Sequence, residues 1–561
     1  MTYRLAIAIS GAVSLGSYEA GVMFEIIRAI GIHNRTFENE PDRQIVIDVL
    51  TGASAGGMTA AILAQKLLFE ADMLDDPVGN HLYLPWVEMA DVHGMLEMQA
   101  GDDPEKSILS SDFIKSIAEK FLLNRYKGAP LERTPHPAAA ESIRLGLAMS
   151  NLNGVNYRLH AFDGAELSTP DSAFTYTRFQ DRMTTTVQES DDVPGFWSKI
   201  AVAARSCGSF PFAFRALYVQ RDPTEEAYQD PAIHGSEFPE QAFTYTDGGV
   251  FNNSPLGMAK MLAEQIDGDP RDYERRFYLY VSPDRKTGTT NMSLNESNAN
   301  MLALGKALGG AIFQQGRFQD WVTTAHYNEL IDQFDDRAAR LCGLMDDIDK
   351  AEREAMASVA DHLLQHIYAS HNDGEPSREK DFDRLREQFM VDKAAQALLA
   401  NRGDEAIKAW IMSVQVLEQS GRLGSKDKMR IYTITAGDDE LAGDFDAAFA
   451  GFFDRRFRDF DYAQGRTKAR TFLKNLKAMN GVNGHMPLTS FDFPEEISST
   501  DSNLAKANIT NVNRDVRVAL KDTLYDRAGR LLKQAGVSWV LRKPIMWFYI
   551  NGQLKKYLKL S

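Results

Sequence analysis

The chain opens with two strand–turn–helix units in succession, and this constrains the fold more than any other feature. Tyr3 to Ile9 is a near-continuous apolar run, the pattern of a strand buried on both faces. A small-residue turn, Ser10 to Gly16, follows, and then Tyr18 to Ile30 at helical spacing, with Val22, Ile26 and Ile30 on one stripe. The pattern repeats as the strand Ile45 to Thr51, the turn Gly52-Ala53-Ser54-Ala55-Gly56 and an apolar helix from Met58 to Leu68. Parallel strands joined by helices require a sheet covered on its faces, so the class is α/β with a mainly parallel sheet. Phe277 to Val281 reads as a further buried strand.

Composition narrows the function. Of 561 residues, 44% are hydrophobic and 25% charged, which suits a chain that buries large cores. A formal net charge of −16 argues against a nucleic-acid partner. Two cysteines, Cys207 and Cys342, supply neither a disulfide framework nor a multi-cysteine zinc site, and fit a reducing compartment. The apolar N-terminus is broken by glycines and serines and lacks the form of a signal peptide. No apolar stretch is long enough to span a bilayer. The expectation is a cytoplasmic chain that meets a membrane, if at all, at its inner surface.

The texture changes after about residue 290. Asn298 to Arg317, Ala325 to Ala357 and Asp381 to Glu418 read as helices, with a polar linker at His371 to Pro376. A strand-like run, Met429 to Thr435, interrupts them, and Arg514 to Gln534 is amphipathic, with Val516, Leu520, Leu524 and Leu531 on one face. This suggests a catalytic domain over residues 1–290 and a mostly helical extension over residues 291–561. Between about residues 72 and 137 lies a less regular stretch whose Leu82, Tyr83, Leu84, Trp86, Met95 and Met98 look exposed, as in an insertion or lid.

Three motifs carry chemistry. Ser54 centres a GxSxG turn between strand and helix, the setting of a nucleophile elbow, with Gly52 and Gly56 giving room for close packing. The helix that follows points its amides and positive dipole end at the site. In the first turn, Gly11 and Gly16 have P-loop spacing, but Ser17 and Tyr18 stand where lysine and serine or threonine belong. What remains is a row of backbone N–H groups suited to an oxyanion. The third motif, Tyr245-Thr246-Asp247-Gly248-Gly249-Val250, reads by itself as a turn. A Ser-His-Asp triad of the α/β-hydrolase kind needs a late histidine. His326, His362, His366, His371 and His485 all lie in the helical part, and the spacing of His362 and His366 lacks the glutamate of a zinc protease.

Taken together, SGAVSLGSYEAGVM, TGASAGG and TDGGVFNNSP, supported by ARSCGSFPFAF at Ala204 to Phe214, resemble the patatin-like phospholipases. The second half looks like the helical extension of a bacterial patatin-related subgroup. The resemblance implies a three-layer α/β/α sandwich and a Ser-Asp dyad, with Ser54 as nucleophile and Asp247 in the DG[GA] motif, supported by Gly248 and Gly249. It places the oxyanion loop at Gly11, Ala12 and Val13. It implies hydrolysis of carboxylic esters of phospholipids or related acylglycerols through an acyl-serine, with neither cofactor nor metal. The loop departs from the family pattern: Ala12 and Val13 replace glycines, and Leu15 stands where a basic residue is typical. Two rival readings follow: a catalytically inactive lipid-binding scaffold, and an esterase or thioesterase for soluble substrates using a late histidine.

Lipid access suggests two segments. One is the Leu82 to Met98 stretch. The other is Val537 to Ser561, where Trp539, Trp547, Phe548 and Tyr549 alternate with Arg542, Lys543, Lys555, Lys556 and Lys559 and no acid occurs. Aromatic-rich runs are usually core, so the default reading packs these rings inside and solvates the lysines. The charge pattern offers the alternative. Residues 501–561 carry twelve Lys and Arg against four Asp on an otherwise acidic chain, which suits an anionic membrane surface.

Overall fold

The computed structural model describes residues 2–128, 131–159, 174–229, 241–267, 275–283, 294–369, 398–400, 402–420, 429–437, 439–445, 448–479, 485–497 and 502–560. The chain forms two compact units: Met1–Ala263 with Phe277–Asp320 and Ile431–Ser561, and Glu264–Arg276 with Trp321–Arg430.

In the first unit, strand β1 (Tyr3–Ile9) leads into helix α1 (Gly16–Thr36), and β2 (Ile45–Gly52) into α2 (Ala55–Phe69). Both pairs follow the apolar periodicity, and both helices run a few residues beyond it. Helix α3 (Ser111–Leu122) is capped by Ser110, which accepts from the Phe113 amide. Four strands beyond those expected from the sequence complete this part: β3 (Ala139–Leu159), β4 (Phe174–Val187), β5 (Leu217–Arg221) and β6 (Gln241–Asp247). Helix α4 (Pro194–Cys207) lies between β4 and β5 in the chain, α5 (Leu256–Glu264) follows β6, and β7 (Arg276–Ser282) comes next.

These strands form one mixed sheet in the order β5-β6-β3-β2-β1-β7-β8, with β4 also on β3. β1, β2 and β3 pair in parallel, as do β7 and β8, whereas β4 and β6 run antiparallel to β3 and β5 antiparallel to β6. With helices over the sheet, this is the three-layer α/β/α arrangement with a parallel centre. Strand β8 (Ile431–Thr435) is the strand-like run amid the helical region, here an edge strand of the main sheet.

The long C-terminal helix of this unit, α9 (Arg455–Ala478), crosses α1 at two glycines. A Cβ on Gly21 would lie 2.1 Å from the Tyr462 carbonyl oxygen, and one on Gly465 would lie 2.0 Å from that of Tyr18. The close crossing is reinforced by buried charge. Glu25 is fully buried and accepts from Arg466 (2.7 Å) and Arg470 (2.9 Å), which also reach Glu495 at 2.7 and 2.8 Å. Buried carboxylates are stable only with such partners.

In the second unit, helix α6 (Met301–Asp347, which begins in the first), α7 (Lys350–Ala369) and α8 (Asp404–Ser420) supply a core with Ala338, Cys342, Met345, Trp410 and Ile411. The break expected at residues 318–324 is absent, because no glycine or proline stops the helix there. It falls instead at Asp349, where the Asp349 and Glu352 side chains each accept from the other's amide. Residues 381–397 of the expected helix Asp381 to Glu418, and the His371 to Pro376 linker, lie outside the described residues.

Two expectations about exposure are corrected. Leu82, Tyr83, Trp86 and Met95 are buried, between 0% and 6% exposed, because they pack into the main core and the Trp86 indole N–H donates to Thr59 Oγ1 at 2.9 Å. The tail does the opposite. Helix α10 (Arg514–Gln534) buries Val516 and Leu520 but leaves Leu531 exposed. Beyond it Trp539, Trp547 and Tyr549 are 60%, 64% and 56% exposed, while the segment is held by buried Met546 and Leu558. Arg517 also donates to the carbonyls of Leu558 and Lys559, both at 2.9 Å. Among the described residues no helix is long and apolar enough to cross a membrane.

Candidate active site

The sheet register brings the distant motifs together. β2 ends with Gly52 paired to Leu147 of β3, and β6, running the opposite way, ends with Asp247 paired to Met149. Two strand ends thus converge within two residues on one strand. Ser54 follows β2 at φ 49°, ψ −124°, a conformation that L-residues rarely adopt and that lifts the side chain off the strand line. Gly56 permits the sharp turn, since a Cβ there would meet the Ser10 carbonyl oxygen at 2.3 Å.

Ser54 Oγ donates to Asp247 Oδ2 at 2.6 Å. Asp247 Oδ1 accepts from the Gly249 amide at 2.7 Å, its backbone N–H donates to Ser209 at 3.0 Å, and its carbonyl accepts from Ser150 Oγ at 2.7 Å. The carboxyl is therefore fixed in space. It is also only 2% exposed, and burial raises its pKa to about 7 against the two hydrogen bonds that favour the charged form. None of the late histidines is bonded to this pair among the described side chains. His485 Nδ1 faces the Tyr432 hydroxyl at 3.3 Å, and His362 Nδ1 the Ser358 carbonyl at 2.8 Å. The His366 side chain and all of His371 lie outside the described set.

The first turn divides its roles. The Gly11 amide donates to the Asn253 carbonyl at 3.0 Å, so it is spent, contrary to its expected place in an oxyanion hole. Among the described residues the amides of Ala12 and Val13 have no acceptor. Val13 has φ 52° and lines the same cleft as Ser54. Gly11 instead gives clearance: a Cβ there would lie 2.0 Å from Asn253 Oδ1 and 2.9 Å from Ser54 Cβ. Asn253 also donates from Nδ2 to the Gly11 carbonyl at 3.1 Å, locking the first turn to the aspartate turn. Sequence reasoning quoted this residue without giving it a role, though the polar run after the two glycines was its signal.

The C-terminal segment holds the other side of the turn. The Ser14 amide donates to the Ala448 carbonyl at 3.1 Å, the Ser14 hydroxyl donates to the same oxygen, and the Gly451 amide donates to Ser14 Oγ at 3.0 Å. Leu15, in place of a basic residue, is buried and packs beside Gly443. The missing cation is thus replaced by an apolar contact with the extension.

Ser54 opens into a cleft lined by Met58, Ile62, Trp86, Ile117, Phe214 and other apolar side chains. Cys207, behind the serine turn, is buried and its thiol is pushed up by burial, so it is a packing residue.

A family model described as patatin-like phospholipase matches residues 7–260. Among curated proteins, the chain is similar to an uncharacterized protein of Sinorhizobium fredii, 25% identical over 390 residues, covering 57% of this chain and 54% of the relative. It is also similar to an uncharacterized membrane protein of Mycobacterium tuberculosis, 26% identical over 313 residues, covering 50% of this chain and 27% of the relative. The chain thus spans about half the length of the first and about a quarter of the second. The match covers residues 7–260, the segment that holds both Ser54 and Asp247, and marks it as similar to the patatin-like phospholipases, a family of lipid-ester hydrolases.

Proposed function

We propose that the chain hydrolyses carboxylic esters of phospholipids or related acylglycerols with a Ser54–Asp247 dyad. The observation that carries this is the 2.6 Å hydrogen bond from Ser54 to a buried carboxyl at the floor of an apolar cleft. Asp247 as carboxylate takes the Ser54 proton while Oγ attacks the ester carbonyl. The tetrahedral oxyanion is received by the Ala12 and Val13 amides. Collapse expels the alcohol, which takes the proton back from Asp247 and leaves an acyl-serine. Water then repeats the sequence and releases the acid. A base whose pKa is raised by burial is matched to this work near neutral pH, whereas an ordinary aspartate is too weak a base.

The test is covalent labelling. A fluorophosphonate probe forms a stable adduct on Ser54, found on the peptide that contains it, and Ser54→Ala abolishes the adduct. An unlabelled wild type, in detergent and in vesicles alike, overturns the reading in favour of an inert lipid-binding fold.

The tail supports contact with an anionic membrane. Trp539 and Trp547 are exposed and neighbour Arg542 and Lys543, with the Lys543 ammonium 4.4 Å from the Trp539 ring centre. A cation near such a surface contributes about 1 kcal/mol, so removing two costs roughly 30-fold in partitioning. The variant Trp539→Ser, Trp547→Ser, Arg542→Gln, Lys543→Gln is expected to sediment at least tenfold less with phosphatidylglycerol vesicles. The difference shrinks at high salt. Equal sedimentation of variant and wild type removes the membrane reading.

A further inference from the structure

A second apolar chamber adjoins the Ser54 cleft. It shares Met95, Phe210 and Phe452 with the cleft as common walls. The chamber's lining includes no charged side chain, and its outer walls are Leu520 and Leu524 of α10 with Tyr557 and Leu558 of the tail. At its mouth stands Phe212, 75% exposed at φ 66°. That loop is not loose, because the Ile108 and Leu109 amides donate to the carbonyls of Phe212 and Ala213 at 2.8 and 2.9 Å. A large apolar side chain held exposed in a strained conformation marks a contact surface for something apolar.

The same helix, α10, connects this chamber to the basic groove. Just past Leu524 it contributes Tyr525, Asp526, Arg530 and Lys533 to a groove shared with Trp539, Arg542, Lys543 and Trp547, in which Arg530 pairs with Asp526 at 2.9 Å and cations outnumber the one acid. One element therefore presents aliphatic side chains to the chamber and cationic ones to the aromatic patch.

We propose that the chamber is a second acyl-chain site, so that the substrate is a diacyl lipid. The chain being released lies in the Ser54 cleft, the retained chain lies in the tail-walled chamber, and an anionic headgroup faces the basic groove. The two cavities adjoin across the side chains of Met95, Phe210 and Phe452, and this proximity argues for two chains of one lipid rather than for two unrelated ligands. The inference deepens the hydrolase reading and rests on it.

The test fills the chamber from two elements, with Leu524→Trp on α10 and Leu96→Trp on the short helix Val92–Leu96, both partly buried positions. For each variant, kcat/KM is measured on phosphatidylglycerol and on its monoacyl form. The expected result is a fall of at least tenfold in the diacyl-to-monoacyl ratio for both variants. An unchanged ratio overturns the second site, whatever happens to the absolute rates, and so separates it from a loss of fold. A second readout does not need catalysis. In a Ser54→Ala background the chain binds two equivalents of cis-parinaric acid, and one with Leu524→Trp added. A single equivalent before filling overturns the second site. Loss of the hydrolase reading shows separately, as wild type without activity on either lipid.

Discussion

Asp247→Asn lowers kcat/KM on a short-chain ester by roughly 10²–10⁴-fold, the span of a removed general base, and Ser54→Ala brings it to background. The wild-type pH profile carries the same information. Burial holds the Asp247 carboxyl at about 7, so below that pH the base is protonated and idle. Activity therefore rises with pH through about 7 and levels above it. Stability moves the other way. The folded carboxyl binds its proton more tightly than the unfolded one, whose pKa is about 3.9, so the folded state holds the extra proton between about pH 4 and 7. This group's contribution is fully present below pH 4 and is lost as pH rises through about 7. Asparagine carries no such slope. The stability of Asp247→Asn relative to wild type should thus increase from pH 4 to 8 by urea titration while its activity stays low. A wild-type rate independent of pH from 5.5 to 8 would falsify the assignment of Asp247 as base.

Gly465→Val is expected to be the most damaging single change away from the dyad. Its Cβ would sit 2.0 Å from a backbone oxygen of α1, and no rotamer relieves a clash with backbone. Helices α1 and α9 must move apart, against an overpacking cost of about 1–3 kcal/mol or more. The crossing also encloses the Glu25, Arg466 and Arg470 cluster, which loses its geometry with it. Gly343→Ala on α6 is the control. Nothing lies within 4 Å of a Cβ there, so alanine is expected to stabilise by up to about 1 kcal/mol through helix propensity. Thermal unfolding separates the two by sign. Gly465→Val also loses more activity than its unfolded fraction explains, since Tyr18 lies one turn past the Val13–Leu15 turn, whose Val13 lines the cleft. Equal thermal midpoints for Gly465→Val and wild type would remove the close crossing as a source of stability.

The parts of the fold that were legible in the sequence were those where one physical signal dominates. β1, α1, β2 and α2 show apolar periodicity, and Arg514 to Gln534 has the bounds its pattern predicts. Helix α9 was missed because Arg466, Arg470 and their neighbours look like a solvated charge run, and only the partner Glu25, more than 400 residues away, shows that they are buried. The Leu82 to Met98 stretch looked exposed for the reverse reason: its apolar residues have no regular period, yet a core can be filled without one. The tail looked like core because its rings are many, but burial depends on a partner surface, and among its described residues Met546 and Leu558 are the buried ones while Trp539, Trp547 and Tyr549 stay exposed. At the site, Ser54 and Asp247 stood in recognisable turns, but their convergence depends on β3 pairing with both β2 and β6, a long-range register that the local alternation of Ile143, Leu145, Leu147 and Met149 does not specify. The loss of the Gly11 amide to Asn253 is likewise a matter of register that no local pattern reveals.

The register on β3 and the anchoring of Ser14 also set an order of assembly in time. Synthesis runs from the N-terminus, so Ser54 is made long before its partner Asp247, and the first turn's anchors at Ala448 and Gly451 come later still. A nascent chain that has folded its first two strand–helix units holds a serine with no partner and an oxyanion turn with one side unsupported. The last anchor of the first turn is made more than 400 residues after Ser14, so the growing chain holds the turn unsupported until that late segment has been made.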